Sequence, residues 1–96
     1  MLIELKKLNI INEGYKRKIF LDRIYINSAH VVSIKDYEGV RKFLLSEGIQ
    51  DHITDSFSLV KVNSGREVEE IIVLGKSQDL FKSFSSAPPK KRILND

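Results

Sequence analysis

The 96-residue chain contains no cysteine. That absence excludes a disulfide framework, a thiolate metal site and a cysteine nucleophile, and it agrees with a reducing compartment. Long apolar runs are missing too. No stretch approaches the roughly 18 to 20 uninterrupted apolar residues of a membrane span, and no charged-then-apolar leader precedes a small-residue cleavage site. A soluble, cytoplasmic protein without membrane contact is expected. Catalytic signatures are equally absent. Ten serines supply hydroxyls, but none lies in a G-x-S-x-G elbow, and there is neither a P-loop nor a G-x-G-x-x-G fingerprint. Potential metal ligands are thin: His30, His52 and scattered carboxylates, with Asp51-His52-x-x-Asp55 the only compact cluster. Imidazole and carboxylate can share a metal or a proton; the plainer reading is a polar loop before a strand. A protein that is not an enzyme, with no cofactor and no metal, is therefore expected.

What is present supports one small domain. An apolar content of 42% suffices for a single core, and a chain of this length closes only one. The formal charge of +3 is unevenly placed. Residues 1–18 carry +3, residues 19–85 carry −2, and residues 86–96 carry +2. The excess therefore sits at the two ends, around a slightly acidic body. Residues with AT-rich codons (Phe, Tyr, Met, Ile, Asn, Lys) number 37 against 14 for Gly, Ala, Arg and Pro, which fits a low-GC bacterium or one of its phages.

Periodicity predicts mostly strands. MLIELKKLNI alternates Ile3 and Leu5 against Glu4 and Lys6, giving a strand over about 2–10. Gly14 in INEGYK then marks a turn. RKIFLDRIYIN (17–27) is rich in β-branched and aromatic residues and forms one long strand, or two broken near Asp22-Arg23. HVVSIKDY gives a third strand over about 30–37, with Val32 and Ile34 on one face and Val31, Ser33 and Lys35 on the other. From Val40 the period becomes helical: Val40, Phe43 and Leu44 predict a helix over about 39–46 ended by Gly48, within an insertion at 39–53 whose alternative is a long loop. FSLVKVNSGREVEEIIVL predicts a hairpin around Asn63-Ser64-Gly65. Its second arm is apolar on both faces towards the end, which places it centrally in the sheet or at a bend between two sheets. A helix over 77–85 follows, N-capped by Ser77 and burying Leu80, Phe81 and Phe84. The domain spans 1–85, and 86–96 is a basic, proline-containing tail.

Two surfaces qualify as sites. Lys6, Lys7, Lys16, Arg17 and Lys18, with Lys90, Lys91 and Arg92 of the tail, supply cations for a nucleic-acid or other anionic ligand, and Tyr15 adds an aromatic suited to base stacking. The plainer reading is a solvated strand edge on which lysines block sheet extension. Tyr25, Tyr37 and Phe43 are aromatic anchors for a protein partner; ordinary core packing is the plainer reading, for Phe43 above all.

Three segments in order, IYINSAHVVSI (24–34), SLVKVNSGREVEEIIV (58–73) and SQDLFKSF (77–84), resemble the small flagellar-operon proteins of the FlbD/SwrD type. The likeness covers about half of the chain, departs from it in the N-terminal region, the 36–54 insertion and the tail, and carries over no functional residue. It implies a small SH3-like or LSm-like barrel and regulation by binding. The expected fold is mainly β (α+β): a partly open barrel of about five strands, with a short C-terminal helix and the 39–53 insertion. The expected function is that of a regulatory or accessory protein of bacterial or phage origin. It would bind a macromolecular partner, as a homo-oligomer, in the bacterial or host cytoplasm. Nucleic-acid binding through the basic ends is the first alternative; sequestration by a phage protein of a small anionic, nucleotide-like signal is the second.

Overall fold

The computed structural model describes residues 1–50 and 52–85. The tail expected at 86–96, with Lys90, Lys91 and Arg92, lies outside the described residues. Strands β1 (Leu2–Glu13) and β2 (Lys16–Asn27) form a hairpin paired without interruption from Leu2↔Asn27 to Glu13↔Lys16. The turn between them is two residues long, with Gly14 at φ 61° and Tyr15 at negative φ, the backbone pattern of a tight turn whose twist matches that of the strands. β1 runs beyond its expected end, and of the two alternatives for 17–27 the single long strand forms. Neither the end near residue 10 nor the break at Asp22-Arg23 occurs, because the partner strand continues through both positions. Asn9 donates to the Asp22 carboxylate across the ladder at 3.2 Å.

A 3₁₀ turn at Ser28–His30 leads to β3 (Val31–Asp36), then to helix α1 (Gly39–Ser46), strands β4 (Phe57–Asn63) and β5 (Val68–Leu74), and helix α2 (Ser77–Ser85). All neighbouring strands are antiparallel, in the order β2-β1-β5-β4-β3. The order explains the apolar character of β5 on both faces: it is the central strand. The protein is thus mainly β, with five strands and two short helices among the described residues, in an open sheet rather than a closed barrel.

The connectivity forces this sheet to curl. β2 and β3 stand at its opposite ends, about 19 Å apart if the sheet were flat. Asn27 and Val31 are four residues apart in the chain, a span of at most about 14 Å. The two ends must therefore approach each other at the 3₁₀ turn.

Curling gives the sheet an inner and an outer face, and each carries an apolar layer. Ile3 and Leu5 of β1, Ile71 and Val73 of β5, and Val60 of β4 line the inner face, which Leu80 of α2 closes. Leu8, Phe57, Ile72 and Leu74 point outward, where Val40 and Leu44 of α1 cover them. The alternation of strand side chains thus supplies both layers.

β3 departs from simple alternation. Its pairing with β4 slips between Val31 and Ser33, a bulge that adds a residue to the strand. Val31 and Ile34 consequently pack on the inner layer, while Val32 is 57% exposed. The expected grouping of Val32 with Ile34 is corrected by that bulge.

Both helices fall where the sequence places them. α1 ends with the Gly48 N–H on Leu45 O at 3.3 Å and the Ile49 N–H on Leu44 O at 2.9 Å. Gly48 sits at φ 69°, the left-handed geometry expected of it. At α2 the capping differs from expectation. Ser77 is the first helical residue, and its own N–H is the group being capped: it donates to Asp36 Oδ1, at the end of β3, at 2.9 Å. Phe81 also departs from the expected stripe. Leu80 and Phe84, four residues apart, turn to the core, whereas Phe81 lies one helical step aside and is 63% exposed.

Candidate partner-binding groove

Among the described residues, β3 is the edge of the sheet, with β4 on one side and no strand on the other. Beside it lies α2, and between them runs a groove of about 420 Å³. The strand side is formed by Ser28 and Val31 to Ile34, the helix side by Ser77, Gln78, Phe81 and Phe84. None of these side chains carries a formal charge. Two of the most exposed large apolar residues, Val32 and Phe81, face it from opposite walls.

The bulge turns Val32 out of the core, the helical offset turns Phe81 out, and Asp36 fixes the start of α2 against the end of β3. The Ser77 backbone N–H and hydroxyl both bond to the Asp36 carboxylate, and this hydrogen bonding holds the Asp36 pKa below the usual carboxylate range. Chemically, the groove offers an unpaired strand edge, an apolar lining and a few hydroxyl and amide groups. That combination accommodates an extended chain that adds to the sheet and sinks alternate side chains against Phe81 and Phe84.

Among the described residues, the sequence-predicted basic residues divide between the two faces of the β1–β2 hairpin. Neighbouring strand residues point to opposite faces, so Lys6 is directed outward and Lys7 inward, and Arg17 is directed away from Lys16 and Lys18. Lys18 pairs with Glu13 at 3.0 Å and Arg17 with Glu47 at 3.8 Å, where the guanidinium also stands 6.0 Å from the Phe43 ring centre. Lys7 faces Asp22 across the ladder. Tyr15 is fully exposed at the hairpin tip.

Of the expected aromatic anchors, only Tyr25 is on the surface, 57% exposed, with its hydroxyl donating to Glu4 at 3.5 Å. Tyr37 and Phe43 pack against the outer apolar layer. His52 and Asp55 form a pair at 2.7 Å that, with the Asp55 N–H on His52 O, closes the turn before β4. Asp51 lies outside the described residues. Among the described residues, no group of three or more metal-ligating side chains comes together. His30 ends the 3₁₀ turn and is exposed.

Val32 and Phe81 are the groove residues that sequence reasoning missed. Phe81 could not be told apart in the sequence, because positions 80, 81 and 84 fall within one stripe about 100° wide on a helix. Nothing in the sequence marks the bulge that exposes Val32.

Among the described residues, no helix is long and apolar enough to cross a membrane. No family model matches the chain, and no curated protein or solved structure matches it. The class is therefore defined by structure alone: an open, curled antiparallel sheet of five strands with a helix on each face.

Proposed function

We propose that this chain is a non-enzymatic binding module, a regulatory or accessory protein that holds an extended, apolar segment of a protein partner in the groove between β3 and α2. The observation that carries this reading is the uncharged groove beside a free strand edge, with Val32 and Phe81 exposed across it. Main-chain hydrogen bonds to the edge would supply affinity, and the pocket at Phe81 and Phe84 would supply selectivity. The lack of charged lining favours a partner segment whose apolar residues recur at every second position, and disfavours a phosphate backbone at this place.

Selection from a displayed peptide library tests it. Extended peptides with alternating apolar residues should be enriched, and F81E should weaken their binding at least about tenfold, the effect of losing one central aromatic contact. Selected peptides indifferent to F81E, or no enrichment at all, would overturn the reading. Retention on nucleic acid that falls steeply with salt and disappears when Lys16, Arg17 and Lys18 are neutralised would replace it with the nucleic-acid reading.

A further inference from the structure

The other edge of the sheet is β2, a strand of 12 residues that, among the described residues, pairs only with β1. Around its middle the two faces differ. Ile19 and Leu21 pack on the outer layer with α1. On the opposite face Phe20 is 39% exposed, and its neighbour Ile11 on β1 is 42% exposed. A long strand edge beside exposed apolar residues invites sheet extension unless its charges prevent it.

The hydrogen-bond polarity of that edge can be read from the hairpin. The two-residue turn makes Glu13 and Lys16 a hydrogen-bonded pair, and the Ser28 N–H donates to Met1 O at 2.9 Å. Even-numbered residues of β2 therefore direct their backbone groups to β1, and Arg17, Ile19, Leu21 and Arg23 direct theirs to the open side. A second β2 edge, running antiparallel, supplies matching groups about a two-fold axis.

Side chains choose the register. An axis at Phe20 sets the two rings against each other in a non-hydrogen-bonded pair, where side chains approach most closely. It places Lys18 of each copy opposite Asp22 of the other, and Ile19 opposite Leu21. Arg17 then faces Arg23, but each already stands beside an acid of its own chain, Glu47 and Glu4. An axis at Lys18 or Asp22 sets a charge against itself, which is unfavourable. Axes at Ile19 and Leu21 leave Phe20 opposite Lys18 and Asp22 respectively.

We propose that two copies of this chain associate by antiparallel pairing of their β2 edges about a two-fold axis at Phe20, joining two five-stranded sheets into one. Lys18 and Asp22, each of which would meet its own kind about an axis placed on it, meet the opposite charge about the axis at Phe20. The groove is lined by Ser28, β3 and α2, with no residue of β2, so the dimer would carry two grooves.

The absence of cysteine makes the test specific, because in F20C the only disulfide that can form links two chains. Opposed residues of a non-hydrogen-bonded pair bring their Cα atoms to about 4.5 Å, within disulfide reach. F20C should oxidise to a covalent dimer, whereas Y15C, at the tip, should not. By sedimentation the unmodified chain should be a dimer, K18D should weaken dimerisation about tenfold or more, and K18D combined with D22K should restore it. Circular dichroism confirms that each variant is folded. A monomeric mass for the unmodified chain at high concentration, equal oxidation of Y15C and F20C, or failure of the double exchange to restore the dimer would overturn the proposal.

Discussion

Two polar residues do structural work that neighbouring apolar ones cannot. Ser58 is the one fully buried polar side chain among the described residues, and its hydroxyl donates to Gly75 O at 2.7 Å where β5 leaves the sheet. Ser58→Ala should lower stability by about 1 to 2 kcal/mol, the usual consequence of removing one partner of a buried hydrogen bond, as read from urea denaturation. Asp36 acts through its charge. Because its pKa is lowered in the folded chain, its contribution to stability is complete above the ordinary carboxylate pKa and is lost as pH falls through the lowered folded-state value. Acid titration of Asp36→Asn should therefore show a smaller loss of stability over that acidic range than the unmodified chain. An equal loss in both would show that other carboxylates dominate the acid limb.

At the scale of elements, α2 separates a stabilising face from a binding face within two adjacent residues. Leu80 is buried in the inner layer and Phe81 is open to the groove. Leu80→Ala should cost about 2 to 4 kcal/mol. Phe81→Ala should stay within about 0.5 kcal/mol of the unmodified chain, as most exposed substitutions do, while weakening groove binding. Thermal melts and peptide titrations of the two variants separate these roles. Helix positions were legible because Val40 and Leu44, or Leu80 and Phe84, recur at helical spacing, and because Gly48 can close a helix in left-handed geometry. The length of β1 and the bulge in β3 were not legible. The end of β1 depends on how far β2 supports it, and the bulge depends on β4, which is separated from β3 by α1 and leaves no local mark. The same limit hid the groove: Phe81 reads as core until the axis of α2 is known, and Asp36 reads as a strand-end charge until Ser77 is placed against it. Lys6 and Lys7, or Lys16 and Arg17, look like clusters in a linear sequence, and strand alternation disperses them.

For the whole molecule, the two apolar layers share one wall. β5 contributes Ile71 and Val73 to the inner layer and Ile72 and Leu74 to the outer, so neither layer can be lost without disturbing the other. Heat or denaturant should unfold the domain in one transition, with far-ultraviolet circular dichroism and tyrosine fluorescence coincident. Separate midpoints would mean that the layers melt independently. The joint between β1 and β5 has a further consequence, for the time course of folding. Each hairpin closes on itself through near neighbours in the chain, but Lys7 must find Val73 across almost the whole domain. Such a distant closure is slow to meet, because the intervening chain loses much of its freedom before any contact repays the loss. The two hairpins should therefore gather first and the β1-β5 seam last, and a circular permutant that joins residue 96 to residue 1 through a short linker and opens the chain at the 3₁₀ turn, so that every neighbouring pair of strands is consecutive, should refold faster than the natural chain order.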